Sequence, residues 1–121
     1  MGEVFRKQPM HNLDVEGSSV SVTAIADNEI LYNVVANYET KEIIVAADFG
    51  IRSLQIDDFN GLESIANGNK VQFGESSNWL VTYLGKSEYM ENLERAGFCE
   101  SECLTISDPG GPLRIMYLTK G

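Results

Sequence analysis

Few residues in this chain have the type and spacing that chemistry requires. His11 is the only histidine of the 121 residues. A general base needs a partner that positions it, and the polar surroundings of His11 (Arg6, Lys7, Pro9) offer none, so it is given no role. Asp57 and Asp58 are adjacent carboxylates of the kind a hard cation takes. They precede Phe59, Leu62, Ile65 and Ala66, and a carboxylate there suits a helix N-cap better than a ligand. Cys99 and Cys103 form a C-x-x-x-C pair without a nearby histidine or third cysteine. Structural zinc takes four ligands, so both cysteines are expected to be reduced, packed thiols. No catalytic, cofactor-binding or metal-binding residue is assigned, and no cofactor is expected.

The elements that would have to position such groups are clearer. The run at 78–84 (NWLVTYL) suits a buried strand, and Gly85 and Lys86 end it. Ser87 then offers an N-cap oxygen, with Glu88 in the first turn. Tyr89, Met90, Leu93 and Ala96 recur at helical spacing, and Gly97 stands where a left-handed C-cap residue belongs. The pattern predicts a helix over 87–96. Strands at 103–106 and 113–118 follow, separated by the turn residues Asp108, Pro109, Gly110, Gly111 and Pro112.

Upstream, 20–26, 30–38 and 42–49 read as strands joined by short polar loops, which means an antiparallel meander. Gly50 is read as a bulge or bend, and 51–56 as a fourth strand or as the bent half of the third. The segment 57–66 is read as a short second helix, although Asn60-Gly61 is also a turn signal. Asn67-Gly68-Asn69 marks a hairpin turn before a brief strand at 71–73.

Composition sets broader limits. Net charge is −9 with only nine basic residues, and no three of them cluster. Phosphate contacts need clustered lysine and arginine, so direct DNA binding is not expected. Met1 is followed by no apolar leader, and no apolar run approaches membrane-spanning length, so an intracellular, cytoplasmic protein is expected. The DPGGPL stretch is similar to the nucleophile segment of trypsin-like serine proteases, but Pro109 occupies the nucleophile position. YMENLERAGF at 89–98 is similar to the tail of class I methyltransferases, though no glycine-rich cofactor loop precedes it.

A broader resemblance rests on 80–118, LVTYLGKSEYMENLERAGFCESECLTISDPGGPLRIMYL. This succession of apolar strand, helix, strand, turn and a final strand opened by Pro112-Leu113 resembles the repeated unit of the sliding-clamp superfamily. The segment 53–73 resembles that family's upstream strand and connector. The resemblance implies a sheet backed by helices and a role in assembly. Clamp helices carry lysine and arginine toward DNA, whereas this one shows Glu88, Glu91 and Glu94 against Arg95.

Together these features predict an α+β fold. A single antiparallel sheet of six to seven strands would have helix 87–96 packed on one face and a second short helix at 57–66. Residues 1–12 would form an extended arm and 13–121 a single domain. The expected core is Val22, Ile30, Val34, Ile44, Val45, Ile56, Leu62, Trp79, Val81, Tyr83, Met90, Leu93, Phe98, Leu104, Ile106, Leu113, Ile115 and Tyr117. The strand at 113–118 is apolar on nearly both faces, so Leu113, Ile115, Met116, Tyr117 and Leu118 are the candidate interaction residues. The expected function is a non-enzymatic interaction or assembly module, clamp-like, acting through a sheet edge on a protein partner or a second copy. A small enzyme or ligand-binding domain with a pocket between helix and sheet is the alternative.

Overall fold

The computed structural model describes residues 9–75, 77–84, 91–92, 95–107 and 112–120; for residues 98–103 and 120 it gives the backbone. The described residues form ten strands: β1 (Met10–Glu16), β2 (Ser19–Ala26), β3 (Glu29–Asn37), β4 (Glu42–Ala47), β5 (Gly50–Gln55), β6 (Gly61–Ala66), β7 (Asn69–Gly74), β8 (Asn78–Leu84), β9 (Phe98–Ile106) and β10 (Leu113–Lys120). They form two five-stranded sheets, in the orders β1-β2-β3-β4-β5 and β7-β6-β8-β10-β9.

The first sheet is a meander set by its turns. Asp27 and Asn28 both take positive φ, at 53° and 64°, the geometry a two-residue hairpin loop needs between β2 and β3. Asn67 and Gly68 do the same between β6 and β7, at 51° and 76°. Alternation then decides what is buried. Val20, Val22, Ala24, Val34, Ala36, Ile43 and Val45 face inward, and between the sheets they meet Leu62, Ala66, Leu80, Ile106, Leu113 and Ile115 of the second. The sheets approach most closely where β1 and β2 face β6. There the Asn67 side-chain amide donates to the His11 carbonyl at 2.8 Å.

The sheets are joined through Asn60. Its N–H donates to the Asn78 carbonyl (2.8 Å), and its own carbonyl accepts from the Glu75 N–H (3.0 Å). The Tyr38 hydroxyl also donates to that carbonyl (3.1 Å). The Asn60 side-chain oxygen accepts from the Asn78 N–H (3.2 Å), while its amide donates to Ser77 Oγ (2.8 Å). These bonds hold the β7–β8 connection across the start of β6, which lets β8 lie parallel to β6 while β7 pairs with it antiparallel. A Cβ on Gly61 would overlap the Glu75 carbonyl, and one on Gly74 the Asn60 carbonyl and Tyr38 hydroxyl. Beside this junction Phe59 is buried, and Lys41 Nζ stands 4.2 Å from the Tyr38 ring centroid and 4.7 Å from that of Phe59.

The architecture corrects the α+β expectation: the described residues form two β-sheets, and among them no helix packs on a single sheet. In the span 87–96 only Glu91, Asn92 and Arg95 are seen as helical, all of them exposed, and the Ala96 N–H bonds the Asn92 carbonyl at 3.1 Å. Ser87, Glu88, Tyr89, Met90, Leu93 and Glu94 lie outside the described residues. Gly97 does take positive φ, at 92°. The second helix, at 57–66, is also corrected: Asp57 and Asp58 form a turn, and Gly61–Ala66 is strand β6. Both faces of β6 are covered, so its apolar residues do not alternate and can mimic helical spacing. The first strand starts at Met10, within the segment expected to be an arm, and residues 1–8 lie outside the described set. Two expected core residues face solvent, Ile30 (68% exposed) and Ile44 (40%). Ile44 and Val45 are neighbours on one strand and point to opposite faces, so Ile43 joins Val45 inside instead.

Candidate functional site

Of the six described large apolar residues that the fold leaves exposed, Met10 and Val15 lie on β1, and Ile30, Ile44, Phe49 and Ile51 lie around the β4–β5 hairpin. β5 is the outermost strand of the first sheet, and among the described residues only β4 pairs with it. Five of its six residues are exposed, with only Leu54 half-buried. Ile51 is 77% exposed, more than any other large apolar side chain described. The register sets Ile51 opposite Ala46 and Ser53 opposite Ile44, so Ile44 and Ile51 share the outer face as diagonal neighbours. Phe49, in the turn, is 40% exposed, and Ile30 is close by at the start of β3.

An unpaired edge of this kind carries backbone N–H and C=O groups ready to pair with another strand, and proteins usually guard it with charge, proline or a bulge. The outer strand β1 carries Asp14 and Glu16, and β7 carries Lys70. The one charged residue of β5 is Arg52, whose guanidinium carbon stands 4.5 Å from the Phe49 ring centroid. Beside the hairpin, a cleft of about 360 Å³ opens between the two sheets, lined by Leu31, Tyr32, Ala47, Asp48, Phe49 and the end of β9. At the other end of β5, Ser53 Oγ donates to Glu42 Oε2 (3.2 Å), and the Gln55 amide donates to Asp57 Oδ1 (3.1 Å).

The residues expected to interact lie elsewhere. β10 pairs with β8 on one side and β9 on the other, so neither of its edges is open. Leu113, Ile115, Met116 and Leu118 are buried and Tyr117 is half-buried. Leu113 and Ile115 belong to the core between the sheets, while Met116 and Leu118 pack with Trp79 and Val81 on the second sheet's other face. Burial on both faces within the chain accounts for the apolar character of this strand without a second subunit. The Tyr117 hydroxyl donates to Asp58 Oδ2 at 2.9 Å, and the Asn78 amide donates to the Asp58 carbonyl. Burial, and then the bond to Asp58, raise the Tyr117 phenol above its ordinary value. Asp58 therefore serves the junction between sheets. Among the described residues no group of three or more His, Cys, Asp or Glu side chains is placed to hold a metal ion. Cys99 and Cys103 lie on β9, with side chains outside the described set.

The β5 edge went unread because Ile44 is expected in the core and 51–56 reads only as a strand continuing the meander. The available signal was parity. Once Ile43 and Val45 are set inward, Ile44 must face out, and so must Ile51 across the Gly50 turn.

Among the described residues no helix is long and apolar enough to cross a membrane. No family model, curated protein or solved structure matches this chain.

Proposed function

We propose that this domain is a protein-interaction module that pairs an extended segment of a partner with the free edge of β5. The observation that carries this reading is Ile51, 77% exposed on a strand whose outer edge no other described strand pairs. In such strand addition, backbone hydrogen bonds supply affinity and alternate side chains supply specificity. Here Ile51 and Ile44 offer an apolar surface on the sheet face next to the added strand. This keeps the expected interaction role but moves it from β10 to β5. A cytoplasmic setting suits the two cysteines, which build no disulfide framework.

The test is a selection of displayed peptides on the wild-type domain, followed by affinity measurement on wild type and Ile51→Lys. Ile51 is exposed, so the variant is expected to melt like wild type. The selected peptides should bind wild type in the micromolar range and the variant at least about tenfold more weakly. Selected peptides that bind both proteins equally, or a selection that enriches nothing, overturn the reading.

A further inference from the structure

We infer that the segment taken up by β5 is basic, with lysine or arginine on both sides of a short apolar centre; this rests on β5 being the docking edge. The hairpin lies within an acidic stretch of a chain whose net charge is −9. From Asp27 to Asp58 there are seven carboxylates (Asp27, Glu29, Glu39, Glu42, Asp48, Asp57, Asp58) against Lys41 and Arg52. Both cations are engaged with rings of the same chain, Lys41 over Tyr38 and Phe59 and Arg52 over Phe49. The carboxylates bracket the edge. Asp48 precedes β5 by two residues and lines the cleft. Asp57 follows β5 by two residues, and Glu42 lies opposite Gln55. All three lie outside the buried core, and Asp48 and Asp57 are exposed.

An added strand rises about 3.3 Å per residue. A partner spanning β5 would therefore bring its two ends beside Asp48 and Asp57. Positive side chains there gain attraction from both, and apolar residues between them lie next to Ile51. A second copy of this chain is disfavoured as the occupant, because β5 paired with its twin would bring the same carboxylates together at each end. The match is one of sign and spacing and names a class of segment: extended, basic at both ends, β-branched between.

The experiment uses three fluorescein-labelled peptides with one Val-Thr-Val-Thr-Val centre and a pair of lysines, glutamines or glutamates at each end. Anisotropy titrations are run on wild type, Ile51→Lys, Ile51→Thr and the Asp48→Asn/Asp57→Asn double variant, with sedimentation of the free protein alongside. At about 50 mM salt the lysine peptide should bind wild type at least about tenfold more tightly than the glutamine peptide, and at about 500 mM that advantage should shrink severalfold. The double Asn variant should lose most of the advantage while binding the glutamine peptide as wild type does. Both Ile51 variants should bind the lysine and glutamine peptides more weakly. Equal binding of the lysine and glutamine peptides, lost in the Ile51 variants, overturns the basic partner and leaves the edge reading standing. Binding of no peptide, or equal binding by the Ile51 variants, overturns the edge reading and the inference with it. A wild-type dimer that Ile51→Lys dissolves also overturns the inference, since the occupant is then a second copy.

Discussion

At the scale of single residues, the fold depends on a few groups that fill several roles at once. Asn60 uses its backbone N–H, its carbonyl and both ends of its side chain to hold the β7–β8 connection against β6. That crossing requires Gly61, because a Cβ there would meet backbone rather than a side chain that can turn aside. Gly61→Ala should therefore cost about 3 kcal/mol or more in chemical denaturation, at the upper end of overpacking substitutions. An unchanged denaturation midpoint would mean that the connection does not cross there. Tyr117 gives a pH-dependent counterpart. Its phenol is raised by burial and by the bond to Asp58, so the folded state favours the neutral form. The associated stability is complete below the unfolded value near 10 and is lost as pH rises through the folded value. Tyr117→Phe should thus show a shallower alkaline loss of stability than wild type, measured as melting temperature against pH. Parallel curves would show that the phenol titrates alike in both states.

At the scale of elements, the turns were legible because their chemistry is local. Asn67-Gly68 takes the positive φ values its sequence implies, as does Gly97, and the four meander strands β2 to β5 fall within a residue or two of where alternation puts them. β6 was not legible. A strand covered on both faces does not alternate, and what places it in the sheet is its pairing with β7 and β8. The β10 strand was recognised as a strand, but its apolar second face was read as an interface, because nothing local distinguishes cover by the same chain from cover by another. The parallel pairing of β6 and β8 is marked by a buried hydroxyl pair, Thr82 Oγ1 donating to Ser64 Oγ at 2.7 Å. Thr82→Val alone should cost about 1–3 kcal/mol by stranding the Ser64 hydroxyl, and the double variant with Ser64→Ala should recover most of that loss. A double-mutant cycle with no coupling would show that the two hydroxyls do not depend on one another.

At the scale of the whole molecule, two sheets enclose one core, meet closely at β1, β2 and β6, and leave apolar side chains exposed at the β4–β5 hairpin as well as on β1. The candidate site follows from that arrangement, because the same side chains become exposed or buried according to which strand ends the sheet. A strand inside a sheet has both edges bonded, whereas an outer strand leaves half of its backbone groups to water. Residue-resolved amide hydrogen exchange, on the free protein and on the protein saturated with a selected peptide, reads this difference directly. In the free protein the β5 amides that point away from β4 should exchange fast while those of β10 are strongly protected, and peptide should slow the β5 amides by at least about tenfold with little change at β10. Protection gained at β10, or at any other strand while β5 stays fast, would contradict β5 as the docking edge.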